Sequence, residues 1–150
     1  MLRGQQKTVL TPDQNVKHYL AGALDTQTGR VIWVKGDRKR SALFIELLKK
    51  LGRLYADKKV THIILDNYVI HTSKITQKAV EKFNGRIVLH FLPPYCPDDN
   101  KIECCVWREL HANVTRNHKC QDMDELMREV RSYLARLNRA TAVKRRRKVA

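Results

Sequence analysis

The sequence lacks several features that would assign the protein to other classes. No run approaches the roughly 18 apolar residues that a membrane span requires, and the opening residues 1–6 have no apolar signal-peptide core. No internal repeat is present either. We therefore expect a cytoplasmic protein with no membrane partner. At 150 residues, the chain is long enough for one domain with its own core.

Paired cysteines are also lacking. The four cysteines are Cys96, Cys104, Cys105 and Cys120. They do not have the CxxC spacing that structural zinc sites normally show, and a reducing cytosol would keep them as thiols. A minor alternative is a metal site formed by Cys96, Cys120 and either Cys104 or Cys105.

Acidic residues are scarce relative to basic ones. The chain has 15 Asp and Glu residues and 30 Lys and Arg residues, which gives a net charge of +15. A surplus of this size implies self-repulsion unless a polyanion is the usual partner, and DNA is the natural candidate. Residues 139–150 hold six of the basic residues and no acidic ones, so +9 remains on the rest. We expect this segment to be a disordered basic tail. Its candidate DNA-binding residues are Lys144, Arg145, Arg146, Arg147 and Lys148.

The first half of the chain predicts an arm, a hairpin and a helix. Residues 1–16 are polar, contain a Thr-Pro-Asp turn signal and are interpreted as an N-terminal arm. Two short apolar runs, 18–24 and 31–34, flank a polar loop and predict an antiparallel hairpin. Apolar residues at helical spacing predict a helix over 41–55, with Ser41 as its N-cap.

The second half predicts a parallel crossover. Residues 62–66 are short, β-branched and apolar up to a final carboxylate, as expected of a strand covered on both faces. A helix that starts at Thr72 or Ser73 and ends at Asn84-Gly85 leads to a strand over 86–92. Strand, helix and strand in this order form a right-handed parallel unit. With further helices over 102–117 and from 122 onward, the sequence predicts an α/β fold: a mixed sheet with flanking helices.

Two carboxylates are expected at one edge of this sheet. Asp66 ends the first parallel strand, and Glu103 begins the helix after the next strand, 36 residues further on. Functional groups collect at the carboxyl ends of parallel strands. Two hard oxygen ligands there could hold Mg²⁺ or Mn²⁺, ions that activate water and stabilise a leaving oxygen in phosphodiester cleavage. The residues alone leave another interpretation open: Asp66 as a turn residue and Glu103 as an acid favoured by the helix dipole.

Two motifs add to this interpretation: D-N-x-x-x-H at 66–71, and PPYCPDDNKIE at 93–103 followed by Trp107. Together they resemble the catalytic core of DDE-type transposases, most closely the bacterial insertion-sequence members of the mariner superfamily. The resemblance covers nearly the whole chain and implies a ribonuclease H-like fold that cuts DNA with two divalent metals. It assigns Asp66 as the second acidic ligand and Glu103 as the third. Supporting positions are matched by Asn67, His71, Asn100 and Trp107.

The chain departs from that pattern in three ways. Cys96, Asp99 and Lys101 stand where the commoner form has Ser, Leu and Pro. Three residues separate Glu103 from Trp107 where two are usual, and one extra residue turns a helix by about 100°. In the family, the first acidic ligand and a helix-turn-helix region lie before the hairpin, N-terminal to residue 1. We therefore expect residues 17–138 to be a partial catalytic domain that lacks its first, central strand.

The expected function is that of a transposase endonuclease domain that cleaves and transfers DNA strands and is inactive alone, because the first ligand is missing. Its expected partners are DNA at element ends and target, and a second copy on DNA, with no small-molecule substrate and a location at the bacterial nucleoid. One alternative is a non-catalytic DNA-binding remnant. Another is an unrelated small nuclease. The additional ligands of such a nuclease would be His71, His90, His111 and His118. The candidate substitutes for the transposase's missing first ligand are Asp13, Asp25 and Asp37.

Overall fold

A computed structural model describes residues 16–94, 99–116 and 118–149, with backbone alone for 145–149. The predicted arm, apart from Val16, lies outside these residues. Strands β1 (Tyr19–Leu24) and β2 (Val31–Gly36) form the predicted antiparallel hairpin, and helix α1 (Ser41–Leu54) follows it. Ser41 is the first residue of α1 rather than its cap.

The predicted parallel crossover is confirmed. Strand β3 (Thr61–Leu65) leads through two helices, α2 (Val69–Thr72) and α3 (Lys74–Glu81), to strand β4 (Ile87–Phe91). The two strands pair in parallel, with each residue of β3 opposite its counterpart in β4. The Ser73 hydroxyl accepts a hydrogen bond from the Thr76 amide and caps α3. After the helix, Asn84 and Gly85 take positive φ angles of 49° and 76°, which reverse the chain into β4.

The four strands form two separate sheets among the described residues, β1 with β2 and β3 with β4. Helix α1 packs against both of them. Its Leu48 is fully buried and belongs to a core cluster that also includes Ile32 and Val34 from the hairpin and Leu65 and Ile87 from the parallel pair. The two sheets are therefore held together by the apolar face of one helix.

A second core covers the opposite face of the hairpin. After β4 come a π-helical turn π1 (Glu103–Trp107), a short helix α4 (Arg108–Leu110), a second π-helical turn π2 (His111–Thr115) and a long helix α5 (Met123–Val149). Their apolar side chains pack on Val31 of β2. The Asp122 carboxylate accepts from the Glu125 amide at 2.7 Å, and the Glu125 carboxylate accepts from the Gln121 amide at 2.6 Å. The Asp122 side chain thus caps α5, and the Glu125 side chain reaches back to the residue before this cap, so α5 starts where the sequence predicts.

The C-terminal half differs from the expectation in two respects. The helix predicted over 102–117 is divided by the π-helical turns. The basic segment is not disordered, because α5 continues through it to Val149. Alanine, arginine and lysine are among the strongest helix formers, and they dominate this segment. In the part of the chain that the structure describes, no helix combines the length and the apolar character needed to cross a membrane.

Candidate metal-binding site at the end of a groove

Asp66 directly follows β3, and neighbouring groups fix its carboxylate. Its Oδ1 accepts a hydrogen bond from the Tyr68 amide at 3.1 Å and lies 3.0 Å from Nδ1 of His71. The same His71 nitrogen is 3.1 Å from the Asp66 carbonyl oxygen, so a proton on Nδ1 serves both oxygens. The His71 ring is itself held against Phe44 of α1, with ring centroids 4.5 Å apart. The chain thus orients one oxygen of an otherwise exposed carboxylate.

Glu103 is the first residue of π1 and lies close enough to Asp66 for the two charges to interact. Its amide donates to the Asn100 carbonyl at 3.0 Å, which starts the helical segment. The side chain is exposed on one side, yet the protein on its other side displaces water and raises the pKa of the carboxyl. The negative charge of Asp66 raises that pKa further, and the positive charge of Lys39 opposes both effects.

The π-helical turn accounts for the additional residue between Glu103 and Trp107. The Arg108 amide donates to the Glu103 carbonyl, five residues earlier, so this turn holds one residue more than an α-helical turn. Trp107 packs tightly on β1: a Cβ added at Gly22 would lie 2.6 Å from its ring. Glu103 and Trp107 both line the groove described next. The wider turn therefore absorbs the extra residue without rotating either side chain away.

A groove of about 650 Å³ runs between β1 and β3 and ends at the two carboxylates. Helix α1 contributes one wall through Leu43, Phe44, Leu47 and Leu51. Ile102 and Trp107 line it as well, as do Asp66, Glu103 and Asn100. The predicted meeting of strand end and helix start at one edge is thus present in the geometry.

Lys39 and Tyr68 belong to the same site and were missed by the sequence analysis. The Lys39 ammonium lies 3.9 Å from the centroid of the Tyr68 ring, and both residues line the groove. Lys39 stands between Arg38 and Arg40 just before α1. Nothing in that basic run distinguishes one cation from its neighbours, so only the fold identifies Lys39 as the one facing Glu103.

Three further sequence predictions concern Asn67, Asn100 and the basic run 144–148. The Asn67 side chain donates to the Leu92 carbonyl and ties the end of β3 to the end of β4. Asn100 lines the groove. Helix α5, which carries the basic run 144–148, is tied to the start of β2 by the Asn138 side chain, which bonds to the Val31 backbone at 2.8 and 2.9 Å. Within that run Lys144 is exposed.

His71 lies beside Asp66, whereas Asp25, Asp37 and His90 have other partners among the described residues. Asp25 accepts from the Tyr55 hydroxyl at 2.8 Å and from two loop amides. Asp37 pairs with His18 at 3.0 Å, and His90 lies 2.9 Å from His62. In the described segments no three His, Cys, Asp or Glu side chains gather as a metal set. Asp13 and Cys96 lie outside those segments. Asp66 and Glu103 suit a hard cation such as Mg²⁺, but they are two ligands, not three.

The fold and the site define a class: an α/β domain with paired carboxylates in a strongly basic chain. The family follows from sequence comparison. The sequence model of the DDE superfamily endonuclease family matches residues 1–127, and the chain belongs to that family, as its motifs predicted. It is also homologous to the insertion element IS630 uncharacterized 39 kDa protein of Shigella sonnei, with 47% identity over 133 residues.

The fraction of each similar protein that the chain covers is as follows. The match to the Shigella protein covers 89% of this chain and 38% of that protein. Among solved structures, the chain is similar to one in the cryo-electron microscopy structure of a simian T-cell lymphotropic virus intasome in complex with the PP2A regulatory subunit B56 gamma. That similarity has 19% identity and a TM-score of 0.49, and it covers 87% of this chain and 51% of the other.

Proposed function

We propose that this chain carries the second and third acidic ligands of a metal-dependent DNA endonuclease site used in transposition. One observation carries the proposal: Asp66 and Glu103, 36 residues apart in sequence, line the end of one groove and interact through their charges. Bound Mg²⁺ or Mn²⁺ would supply an activated water and stabilise the leaving oxygen of a DNA phosphodiester. Asp66 and Glu103 would hold the metal.

The neighbouring side chains have supporting roles in this proposal. His71 and the Tyr68 amide hold Oδ1 of Asp66 in one orientation, as outer-shell partners of metal ligands commonly do. Trp107 anchors the π1 turn on Gly22 and so fixes the helical segment that begins with Glu103. Asn67 keeps the two parallel strand ends together at the same edge. Lys39 offers a positive charge where a DNA phosphate would approach.

The domain that this proposal implies is ribonuclease H-like and lacks its central strand, which belongs between β1 and β3 and bears the first acidic ligand. One fact supports this inference: the described strands form two separate sheets with a groove between them. With two carboxylates a two-metal site is incomplete. We therefore propose that the chain alone does not cleave DNA.

The proposed partner is DNA, at the ends of an insertion element and at its target, bound by a dimer at the bacterial nucleoid. The net charge of +15 supports a polyanionic partner. The basic run at the end of α5 would add phosphate contacts to those near the groove. The proposed contact residues remain Lys144, Arg145, Arg146, Arg147 and Lys148.

Paramagnetic Mn²⁺ tests the metal site directly. In the wild-type chain, added Mn²⁺ should broaden the nuclear magnetic resonance signals of residues around Asp66 and Glu103. Asp66→Asn and Glu103→Gln should each abolish the broadening, because one remaining carboxylate is a weak ligand. Glu109→Gln, on α4, is the matched control and should leave it unchanged. Broadening that survives both site substitutions would refute the assignment, and robust Mg²⁺-dependent cleavage by the wild-type chain would refute its inactivity.

A second candidate is a non-catalytic DNA-binding protein that retains the family scaffold. It is favoured by the observation that only two carboxylates of a metal set meet among the described residues. On this hypothesis, replacing Asp66 and Glu103 together by Asn and Gln leaves every activity of the chain intact. Salt dependence does not separate the two candidates, since phosphate contacts dominate DNA binding in both.

A further inference from the structure

Two histidines join the parallel strands at their surface. Nδ1 of His62, on β3, lies 2.9 Å from Nε2 of His90, on β4. The ring planes are tilted by 42° and their centroids are 5.1 Å apart, so the rings are not stacked in parallel. Both side chains are exposed to solvent. The roles proposed above for the carboxylates and their neighbours leave this contact unexplained.

The register of the strands explains why the two side chains meet. His62 lies opposite Val88, and Ile64 lies opposite His90. Because side chains alternate between the two faces of a sheet, these four residues share one face, and the histidines are diagonal neighbours on it. The other face packs into the core around α1 through Leu65. The histidine face is open to solvent, since Ile64 is 64% exposed.

The two contacting nitrogens can share either a proton or a metal ion. A neutral imidazole has one nitrogen that donates and one that accepts, so the pair can form a hydrogen bond. A neutral imidazole nitrogen is also a ligand suited to Zn²⁺, Cu²⁺ and Ni²⁺. In the metal-free chain, the hydrogen bond between His62 and His90 would hold both potential ligands in place.

The separation of the nitrogens fits two neighbouring positions around one ion. With bonds of about 2.0–2.1 Å and a right angle between them, two nitrogen ligands are about 2.9 Å apart. A tetrahedral angle would place them about 3.3–3.4 Å apart. The observed separation of 2.9 Å therefore matches the right angle of square-planar and tetragonal sites, which are typical of Cu²⁺ and Ni²⁺.

We propose that His62 and His90 form a binding site for one divalent transition-metal ion of the Ni²⁺ and Cu²⁺ type. The ion replaces the shared proton and binds Nδ1 of His62 and Nε2 of His90. The ring that held this proton carries it on its other nitrogen once the ion is bound, so both imidazoles stay neutral. In the described segments no set of three His, Cys, Asp or Glu side chains gathers, so water completes the coordination, as in other open metal sites.

The histidine site and the carboxylate site differ in the ions that they select. Imidazole nitrogens bind Ni²⁺ and Cu²⁺ well, whereas the carboxylate oxygens of Asp66 and Glu103 suit Mg²⁺. The histidine pair includes neither carboxylate, so this inference does not rest on the proposed function. Mg²⁺ should not compete with Ni²⁺ for the histidines.

The ion would add a second link between the strand that leads to Asp66 and its neighbour. The first link is the Asn67 side chain, which donates to the Leu92 carbonyl after β4. An ion that binds only the folded chain stabilises it, and the gain grows with the ratio of free ion concentration to dissociation constant. Ni²⁺ should therefore raise the Tm of the chain and slow hydrogen exchange of backbone amides in β3 and β4.

A nickel titration of the whole 150-residue chain tests the site. Isothermal titration calorimetry should show one ion bound, and His62→Gln and His90→Gln should each abolish this binding, because a single imidazole remains as ligand. His111→Gln is the matched control and should bind nickel like the wild-type chain. His111 is also exposed, and its Nδ1 contacts the Thr115 hydroxyl at 2.8 Å. All three substitutions are at exposed positions, so the variants should fold, which circular dichroism verifies. Unchanged binding in either histidine-pair variant would overturn the proposal.

Nuclear magnetic resonance of the ring nitrogens tests which atoms bind the ion. Zn²⁺ is the probe, because imidazole binds it, it imposes no geometry of its own and it is diamagnetic. It should shift the ¹⁵N signals of Nδ1 in His62 and Nε2 in His90, while the other nitrogen of each ring carries the proton. In a simple hydrogen bond, one of the two contacting nitrogens is protonated instead. A shift in one ring alone, or in neither, would contradict the paired site.

Thermal unfolding with Ni²⁺ separates this inference from the proposed function. Ni²⁺ should raise the Tm of the wild-type chain and of the Asp66→Asn, Glu103→Gln double variant by the same amount. Loss of the nickel effect in the double variant would place the ion at the carboxylates and rule out the histidine site. If Ni²⁺ has no effect on the wild-type chain while Mn²⁺ still broadens the signals around Asp66, the histidine site is refuted and the proposed function stands. If the nickel effect is present and the Mn²⁺ broadening is absent, only the proposed function fails.

The adjacent thiols of Cys104 and Cys105 offer competing ligands, since their sulfur atoms lie 3.2 Å apart. Replacement of both cysteines by serine should leave nickel binding unchanged, as measured by the same calorimetric titration. Loss of binding in the serine variant, together with normal binding by His62→Gln, would assign the ion to the thiols and refute the histidine site.

Discussion

At the scale of single residues, one hydrogen bond joins the end of the hairpin strand to the end of α1. The Tyr55 hydroxyl donates to Oδ2 of Asp25 at 2.8 Å. Partial burial of the ring, together with this bond and the negative charge of Asp25, raises the pKa of Tyr55 to about 12. The protonated tyrosine is therefore favoured in the folded chain, and the bond helps to position β1 along the groove.

Replacement of Tyr55 by phenylalanine should lower the free energy of unfolding by about 1 kcal/mol at pH 7, the usual net value of such a bond. Because the pKa is raised on folding, the stabilisation is fully present below pH 10 and is lost as the pH rises from 10 towards 12. Urea unfolding at pH 7 and at pH 11 measures this difference. Tyr133→Phe on α5 is the control, and an equal loss in both variants would contradict the prediction.

The same scale shows which site residues the sequence could predict. Asp66 and Glu103 were predictable because each stands at a boundary between a strand or helix and a loop, and such boundaries can be located from local periodicity. Lys39 was not predictable. Its role depends on how the loop before α1 approaches Tyr68, and three consecutive basic residues carry no periodic signal that selects one of them.

At the scale of elements, the π1 turn combines two placements within one helical turn. Trp107 must pack on Gly22, and Glu103 must line the groove, with three residues between them. Helix periodicity predicted the helical segment but not the wider turn, because apolar spacing over five residues does not distinguish the two geometries. The basic end of α5 was also predicted wrongly. Its charge was taken as a sign of disorder, although its residue types favour helix.

Deletion of Cys105 should convert π1 into an α-helical turn with little loss of stability. Two residues would then separate Glu103 from Trp107, and an α-helix places residues three apart on one face. Deletion of Arg128, inside the regular part of α5, is the control, because it rotates Val130 and Leu134 by about 100° out of the core. Urea unfolding should show a much smaller loss for the first deletion. Similar losses of stability in the two deletion variants would contradict this prediction.

At the scale of the whole molecule, both sheets pack against helix α1. Individual elements of the fold were predictable from local patterns, whereas their division into two sheets was not. That division depends on contacts between distant segments, and the local patterns had predicted a single mixed sheet. The core cluster around Leu48 contains residues from both sheets, so we expect them to unfold in one transition.

Replacement of Leu48 by alanine should lower the free energy of unfolding by roughly 2–5 kcal/mol, the range for a leucine truncated in a packed core. Its side chain is fully buried, and the cavity would lie between the two sheets. Leu54→Ala, at the exposed end of the same helix, is the control and should cost much less. Tryptophan fluorescence and far-ultraviolet circular dichroism, followed through urea unfolding, should give coincident transitions. Equal losses in the free energy of unfolding for Leu48→Ala and Leu54→Ala, or separate unfolding of the hairpin, would contradict this prediction.

The edges of β1 and β3 that have no strand partner in the described part of the chain also bear on solubility. Unpaired strand edges are templates on which further copies can add, and this is a common start of aggregation. A net charge of +15 opposes such contact between copies, but salt screens it beyond about 8 Å at physiological ionic strength. A polyanion such as DNA would neutralise it altogether. The chain is thus best protected from precipitation when its groove is filled before, or together with, the binding of DNA.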